Sequence, residues 1–168
     1  MTILTISGSA RINSANTKLL KAIPPFYPTH KFHHYPIENL PLFHADLQDQ
    51  KDPAIVIEFK NKIAEADAVI ISTPAYIFNL PATLKNALEW TTKSGEFYEK
   101  KVLAITFTPT APRGPKAMQS LLWSLQALKA NVVVQLPLYQ DEVLFDEEGK
   151  LLNGPSLEIL QEAIALLG

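Results

Sequence analysis

The stretch TILTISGSARINSANTKLL, residues 2–20, decides what kind of fold this chain can adopt. It begins as an apolar, β-branched run, Ile3-Leu4-Thr5-Ile6, and stops at Ser7-Gly8-Ser9. Arg11, Asn13 and Ser14 follow, and a helical pattern then covers residues 15–23 and ends at Pro24-Pro25. An apolar run without strict alternation suits a strand covered on both faces. A strand that feeds a helix through a short polar loop is the repeating unit of a parallel sheet.

The unit recurs along the chain. Strand-like runs lie at residues 2–7, 31–35, 68–72, 102–107 and 131–136, with the second diluted by His30, His33 and His34. Asp52-Pro53 reads as an N-cap followed by proline at the first helical position, and Ile55, Val56, Phe59 and Ile63 then mark one face. Pro81, Gly114-Pro115 and Pro155 open three more helices, the second carrying Met118, Leu121, Leu122, Leu125 and Leu128 on one side. Five strand–helix units predict a single α/β domain over residues 1–168, a flavodoxin-like three-layer sandwich with a parallel sheet in the order 2-1-3-4-5. Ligands of such sheets sit beyond the carboxyl ends of the strands.

The totals narrow the function. With 168 residues, 47% of them apolar and 19% charged, the chain can bury a real core. A net charge of −2 gives no electrostatic footprint for nucleic acid or an anionic membrane. Cysteine is absent, which removes disulfides and thiolate chemistry. No apolar run approaches the ~20 residues that cross a bilayer. The N-terminus reads as a mature start without a signal peptide, so the cytoplasm is the expected compartment. The 13 prolines stand at junctions between elements.

The first loop has the makings of an anion site. Ser7, Ser9 and Ser14 offer hydroxyls, Gly8 a sharp turn, Arg11 a planar cation, and the helix that follows its first N–H groups and dipole. The residues needed for a Rossmann pyrophosphate loop, a P-loop or a phospho-accepting carboxylate site are missing. A solvated Ser/Asn turn with a free arginine is the plain alternative.

Gly8-Ser9-x-Arg11-x-x-Ser14-x-Asn16-x-x-Leu19 resembles the phosphate loop of the NAD(P)H-dependent FMN reductase family. The likeness continues at Leu40-Pro41-Leu42-Phe43, at residues 63–67, and most strongly at STPAYIFNLPATLKNALEW, residues 72–90. The resemblance implies that Ser9, Arg11, Ser14 and Asn16 hold the FMN phosphate and the start of the ribityl chain. It implies that Pro74, Ala75, Tyr76, Ile77 and Phe78 line the isoalloxazine ring, and that the loop from Thr108 to Gly114 approaches it from the other side. The implied activity is hydride transfer from NAD(P)H through FMN to a small acceptor, a flavin or a quinone, in a homodimer or homotetramer. The cofactor carries that chemistry, so no catalytic side chain is assigned.

Three departures from the family's pattern fall at the ring. Ala75 stands for an acidic residue, Ile77-Phe78 for Asn-Gly, and the loop after strand four is proline-bearing where the family's is glycine-rich. A non-catalytic binding protein of the same fold, with flavin binding lost or weakened, is the rival reading they raise. The four histidines match no zinc spacing, and no metal site is expected. Trp90 is expected in the core or an interface, and Trp123 with its leucines in the core and an oligomer face. Arg113 is the one charge in its loop, a candidate for the nicotinamide cofactor's phosphate or a solvated side chain. Residues 145–151 are expected to form a small hairpin before the last helix.

Overall fold

A computed structural model describes residues 1–47 and 50–168. Five parallel strands form one sheet in the order β2-β1-β3-β4-β5. They are β1 (Thr2–Ser7), β2 (Lys31–Tyr35), β3 (Ala68–Thr73), β4 (Lys101–Thr108) and β5 (Asn131–Tyr139). The helices are α1 (Ala15–Ala22), α2 (Ala54–Glu65), α3 (Ala82–Glu89), α4 (Pro115–Ala127) and α5 (Pro155–Ala165). The expected α/β fold and strand order are those observed.

Side-chain alternation along the strands divides the core into two layers. Leu4, Ile6, Val69, Ile71, Val102 and Ala104 pack with α2, α3 and α4 through Phe59, Leu84 and Leu121. Ile3, Ala68, Ile70, Leu103, Ile105 and Phe107 face the other way, onto Leu19 and Leu20 of α1 and Leu160 and Ile164 of α5. Every residue of β3 is buried, as a central strand covered on both faces requires.

Some sequence-based boundaries need correction. The last strand does not stop before Pro137 but runs through it to Tyr139, with Pro137 opposite Thr106. On an edge strand the missing N–H faces away from the ladder, so proline does not end the pairing. The register shifts between Val102 and Leu103, where Val133 is the extra residue of a bulge. Asp52 does not cap α2. Pro53 occupies the cap position, and the Asp52 carboxylate instead pairs with Lys60 Nζ at 2.6 Å. Gly8 is not a turn glycine, since its backbone is not left-handed. It is needed for close approach to Thr73 and Leu84.

The small hairpin near the C-terminus is present as an antiparallel bridge between Phe145 and Leu151. Asp146 Oδ1 accepts from the N–H groups of Glu148 and Lys150 at 2.9 and 2.8 Å and closes its turn. Trp90 lies in the core, its Nε1 donating to Pro41 O at 2.8 Å and its ring edge-on to Phe43. Trp123 is exposed, whereas Leu121 and Leu125 of the same helix are buried. Among the described residues no helix is long and apolar enough to cross a membrane.

Candidate flavin site

The loops after β1, β3 and β4 stand side by side because those strands are neighbours in the sheet. The first is tied to the second by its backbone. Gly8 N–H donates to Ser72 O at 2.8 Å, and Gly8 O accepts from Thr83 Oγ1 at 3.2 Å. The loop after β1 therefore sits against the end of β3 and the start of α3.

Within this loop the polar groups have two kinds of work. Ser14 caps α1, its Oγ accepting from Thr17 N–H at 3.0 Å. Such a cap is worth about 1 kcal/mol. Ser7, Ser14 and Thr17 form a buried hydroxyl cluster, with Thr17 Oγ1 donating to Ser7 Oγ at 3.0 Å. The Asn16 side chain turns into the protein. It accepts from Ser72 Oγ at 2.6 Å and donates to Phe107 O at 3.2 Å, and so joins the ends of β3 and β4. Ser9 Oγ accepts from Arg11 N–H at 3.3 Å and keeps its own proton for a ligand. Arg11 is exposed, and no other described residue engages its guanidinium. The first turn of α1 adds the N–H groups of Ala15 and Asn16, which have no intrahelical acceptor. Nearby, His34 shares a polar hollow with Arg11 and Lys21. Burial first, and then the Lys21 ammonium, lower its pKa, against a smaller opposing effect of Glu38.

The second loop makes a tight turn. Tyr76 and Asn79 exchange both backbone hydrogen bonds, at 3.0 and 2.9 Å, with Ile77 and Phe78 between them at φ of 49° and 58°. Two consecutive positive φ values are the signature of a type I′ turn, which favours Asn-Gly. A β-branched and an aromatic residue hold it here at a cost of order 1 kcal/mol each. Both side chains point outward, Ile77 being 97% and Phe78 73% exposed. Strained backbone carrying exposed apolar side chains indicates a surface kept for a ligand or partner. Phe78→Gly is expected to raise the urea midpoint, by about 1 kcal/mol in stability, because glycine removes the strain and little packing is lost.

The third loop closes a cleft against this turn. The cleft measures about 530 Å³, within the range of ligand pockets. Ala75, Ile77 and Phe78 form one wall, and residues 112–117 the other. The Lys116 ammonium lies 5.1 Å from the centre of the Phe78 ring. Gly114, at φ 111°, turns the chain into α4, and a Cβ there would come within 3.0 Å of Thr106 Oγ1. Thr108 is buried, and its Oγ1 donates to Arg113 O at 3.1 Å, fixing the loop. Pro74 is also buried, with its carbonyl accepting from Thr73 Oγ1. Of the residues expected at the ring, Ala75, Ile77 and Phe78 meet in this cleft, whereas Pro74, Tyr76 and Thr108 do not line it.

Sequence reasoning missed Lys116 and Ala117 at the start of α4. The signal was the helix-opening pair Gly114-Pro115 just past the carboxyl end of β4. The prolines of this loop lack donors, but the N–H group of exposed Lys116 in the first turn has no intrahelical acceptor and can serve a ring edge. FMN fits these residues. Arg11, Ser9 and the N-terminus of α1 suit a phosphate, and an apolar cleft lies between the loops after the neighbouring strands β3 and β4.

Comparison with known proteins gives the family. A family model described as NADPH-dependent FMN reductase matches residues 1–141. The chain belongs to the NADPH-dependent FMN reductase family. It is 29% identical over 174 residues to an NADPH:quinone oxidoreductase of Arabidopsis thaliana, covering 98% of this chain and 89% of that protein. It is 30% identical over 175 residues to an NAD(P)H-dependent FMN reductase of Pseudomonas aeruginosa, covering 98% and 92%. Among solved structures, the flavoenzyme NAD(P)H:(acceptor) oxidoreductase FerB of Paracoccus denitrificans superposes with a TM-score of 0.80 at 23% identity. That match covers 99% of this chain and 94% of the other, a likeness of fold.

Proposed function

We infer that the protein is a flavin-dependent NAD(P)H oxidoreductase, with FMN as its cofactor and a small molecule, a flavin or a quinone, as acceptor. The observation that carries the reading is the pairing, at one sheet edge, of an anion loop after β1 with an apolar cleft between the β3 and β4 loops. The bound flavin supplies hydride exchange between a nicotinamide and an acceptor. The chain's part is to hold and orient. Arg11, Ser9 and the first N–H groups of α1 hold the phosphate, and Ser14 and Asn16 act by fixing the loop that presents them. Ala75, Ile77 and Phe78 provide an apolar wall for the ring.

The working unit is proposed to be one domain in a cytoplasmic homodimer or homotetramer. Exposed Trp123, at 64%, borders a groove with Phe78, Asn79 and Gln119 beside the cleft, a surface suited to a second copy. Sedimentation equilibrium of the pure protein gives the number of copies.

Titration of the apoprotein with FMN, followed by flavin fluorescence, tests the reading. Saturable binding is expected, and Arg11→Ala is expected to weaken it about tenfold to a hundredfold, the loss of charge-assisted hydrogen bonds to a phosphate. No binding at tens of micromolar would leave the rival, a binding protein of this fold without flavin chemistry.

A further inference from the structure

The cleft has an unbalanced lining. Its walls are apolar, its charged members are Arg113 and Lys116, and no acidic residue lines it among the described residues. Both cations are exposed, and neither has an ion-pair partner among the described residues. Lys116 is held over the Phe78 ring, so its exposed charge lies against the apolar wall. Arg113 is positioned by its backbone, its N–H donating to Thr110 O at 3.1 Å and its O accepting from Thr108 Oγ1. Two cations at the lip of an apolar slot suit a flat ring with negative charge attached to it.

We propose that Arg113 and Lys116 select the electron acceptor, favouring aromatic acceptors, anionic quinones above all, whose negative charge sits directly on the ring. The proposal rests on the reductase reading, with the acceptor stacking on the flavin ring at the mouth of this cleft. The geometry favours the acceptor over the nicotinamide cofactor. In the cofactor a ribose separates the ring from the first phosphate, whereas the Lys116 ammonium is one ring-contact from the wall. The reaction itself is balanced by NAD(P)H. Its hydride, with one proton from solvent, converts the quinone to the hydroquinone and leaves NAD(P)⁺.

The test compares 1,4-naphthoquinone-2-sulfonate with uncharged 2-methyl-1,4-naphthoquinone, using FMN-loaded wild type and the Arg113→Gln/Lys116→Gln double variant. The two quinones differ in intrinsic reactivity, so each is read as the change on substitution. In a two-step exchange, acceptor and NADPH each have a separate kcat/KM. The sulfonate's kcat/KM is expected to fall about tenfold, two exposed charge contacts being lost, with the neutral quinone and NADPH within about twofold. The wild-type advantage shrinks with added salt. Calorimetric titration with the sulfonate reads the same loss in Kd without turnover. Equal losses for both quinones, or a loss confined to NADPH, would overturn the proposal. Absence of NAD(P)H oxidation with every acceptor would be the failure of the reductase reading instead. The calorimetric Kd would still decide whether the two cations bind the anion, and an unchanged Kd would overturn the proposal.

Discussion

Alanine at position 8 is expected to lower stability by about 2 kcal/mol, the cost of forcing an extra carbon into a packed site. In a thermal melt that is a drop of roughly 4–8 °C for a protein of this size. An added Cβ would lie 2.7 Å from Thr73 Oγ1, 2.9 Å from Leu84 Cδ2 and 3.0 Å from Thr73 Cβ. Thr73 and Leu84 are fully buried, so neither has open space to move into. Gly8 cannot withdraw easily either, because its N–H is bonded to Ser72 O and its O to Thr83 Oγ1. The strain falls on the seam between β1, β3 and α3, so the phosphate loop should lose order and FMN affinity should fall with it. Thr73→Ala in the same chain removes the nearest atom and should restore part of the loss, since Leu84 and the Cβ of residue 73 still crowd the site. A melt unchanged by Gly8→Ala would mean that the seam is looser than its distances indicate.

The fold was legible because its signals were physical and redundant. Every strand run but the histidine-diluted second was apolar on both faces, and Pro81, Pro115 and Pro155 opened helices where proline is tolerated. Pro137 misled because the same residue means an end in a central strand and nothing in an edge strand, and the boundary was set by the proline without using the expected order, which already puts the fifth strand at the edge. Asp52 misled because its carboxylate found a lysine in the second turn of α2 instead of a helix N–H.

The site was legible in part. Hydroxyls, one arginine and a helix start after β1 are what an anion loop needs, and the structure keeps Ser9, Arg11 and the helix start together there. Which hydroxyls face outward could not be read, since Ser7, Ser14 and Thr17 satisfy one another only once folded. The turn at Ile77-Phe78 was hidden by its own side chains, which neither position of a type I′ turn favours. The one available signal was that they stand where the family carries Asn-Gly.

Asn16→Ala separates two roles that the sequence alone could not. The family likeness gives Asn16 to the flavin's phosphate and ribityl chain, whereas its side chain here is 2% exposed and bonded to Ser72 and Phe107. Truncation leaves the buried Ser72 hydroxyl and the Phe107 carbonyl without this partner. At about 1–3 kcal/mol for each buried group left unsatisfied, a loss of about 3 kcal/mol is expected in urea denaturation. FMN affinity measured on the folded fraction should change far less than it does with Arg11→Ala. Asn16→Asp sharpens the distinction. A carboxylate can still accept from Ser72 Oγ, but it opposes the Phe107 oxygen where the amide donated. Burial and that repulsion raise the folded-state pKa above the unfolded one, so the aspartate variant is weakest at neutral pH and regains stability as pH falls through the folded pKa. Once protonated, it can donate to Phe107 O as the amide does. A ribityl contact at the surface would give no such recovery, because it would move FMN affinity and leave the melting curve where it was.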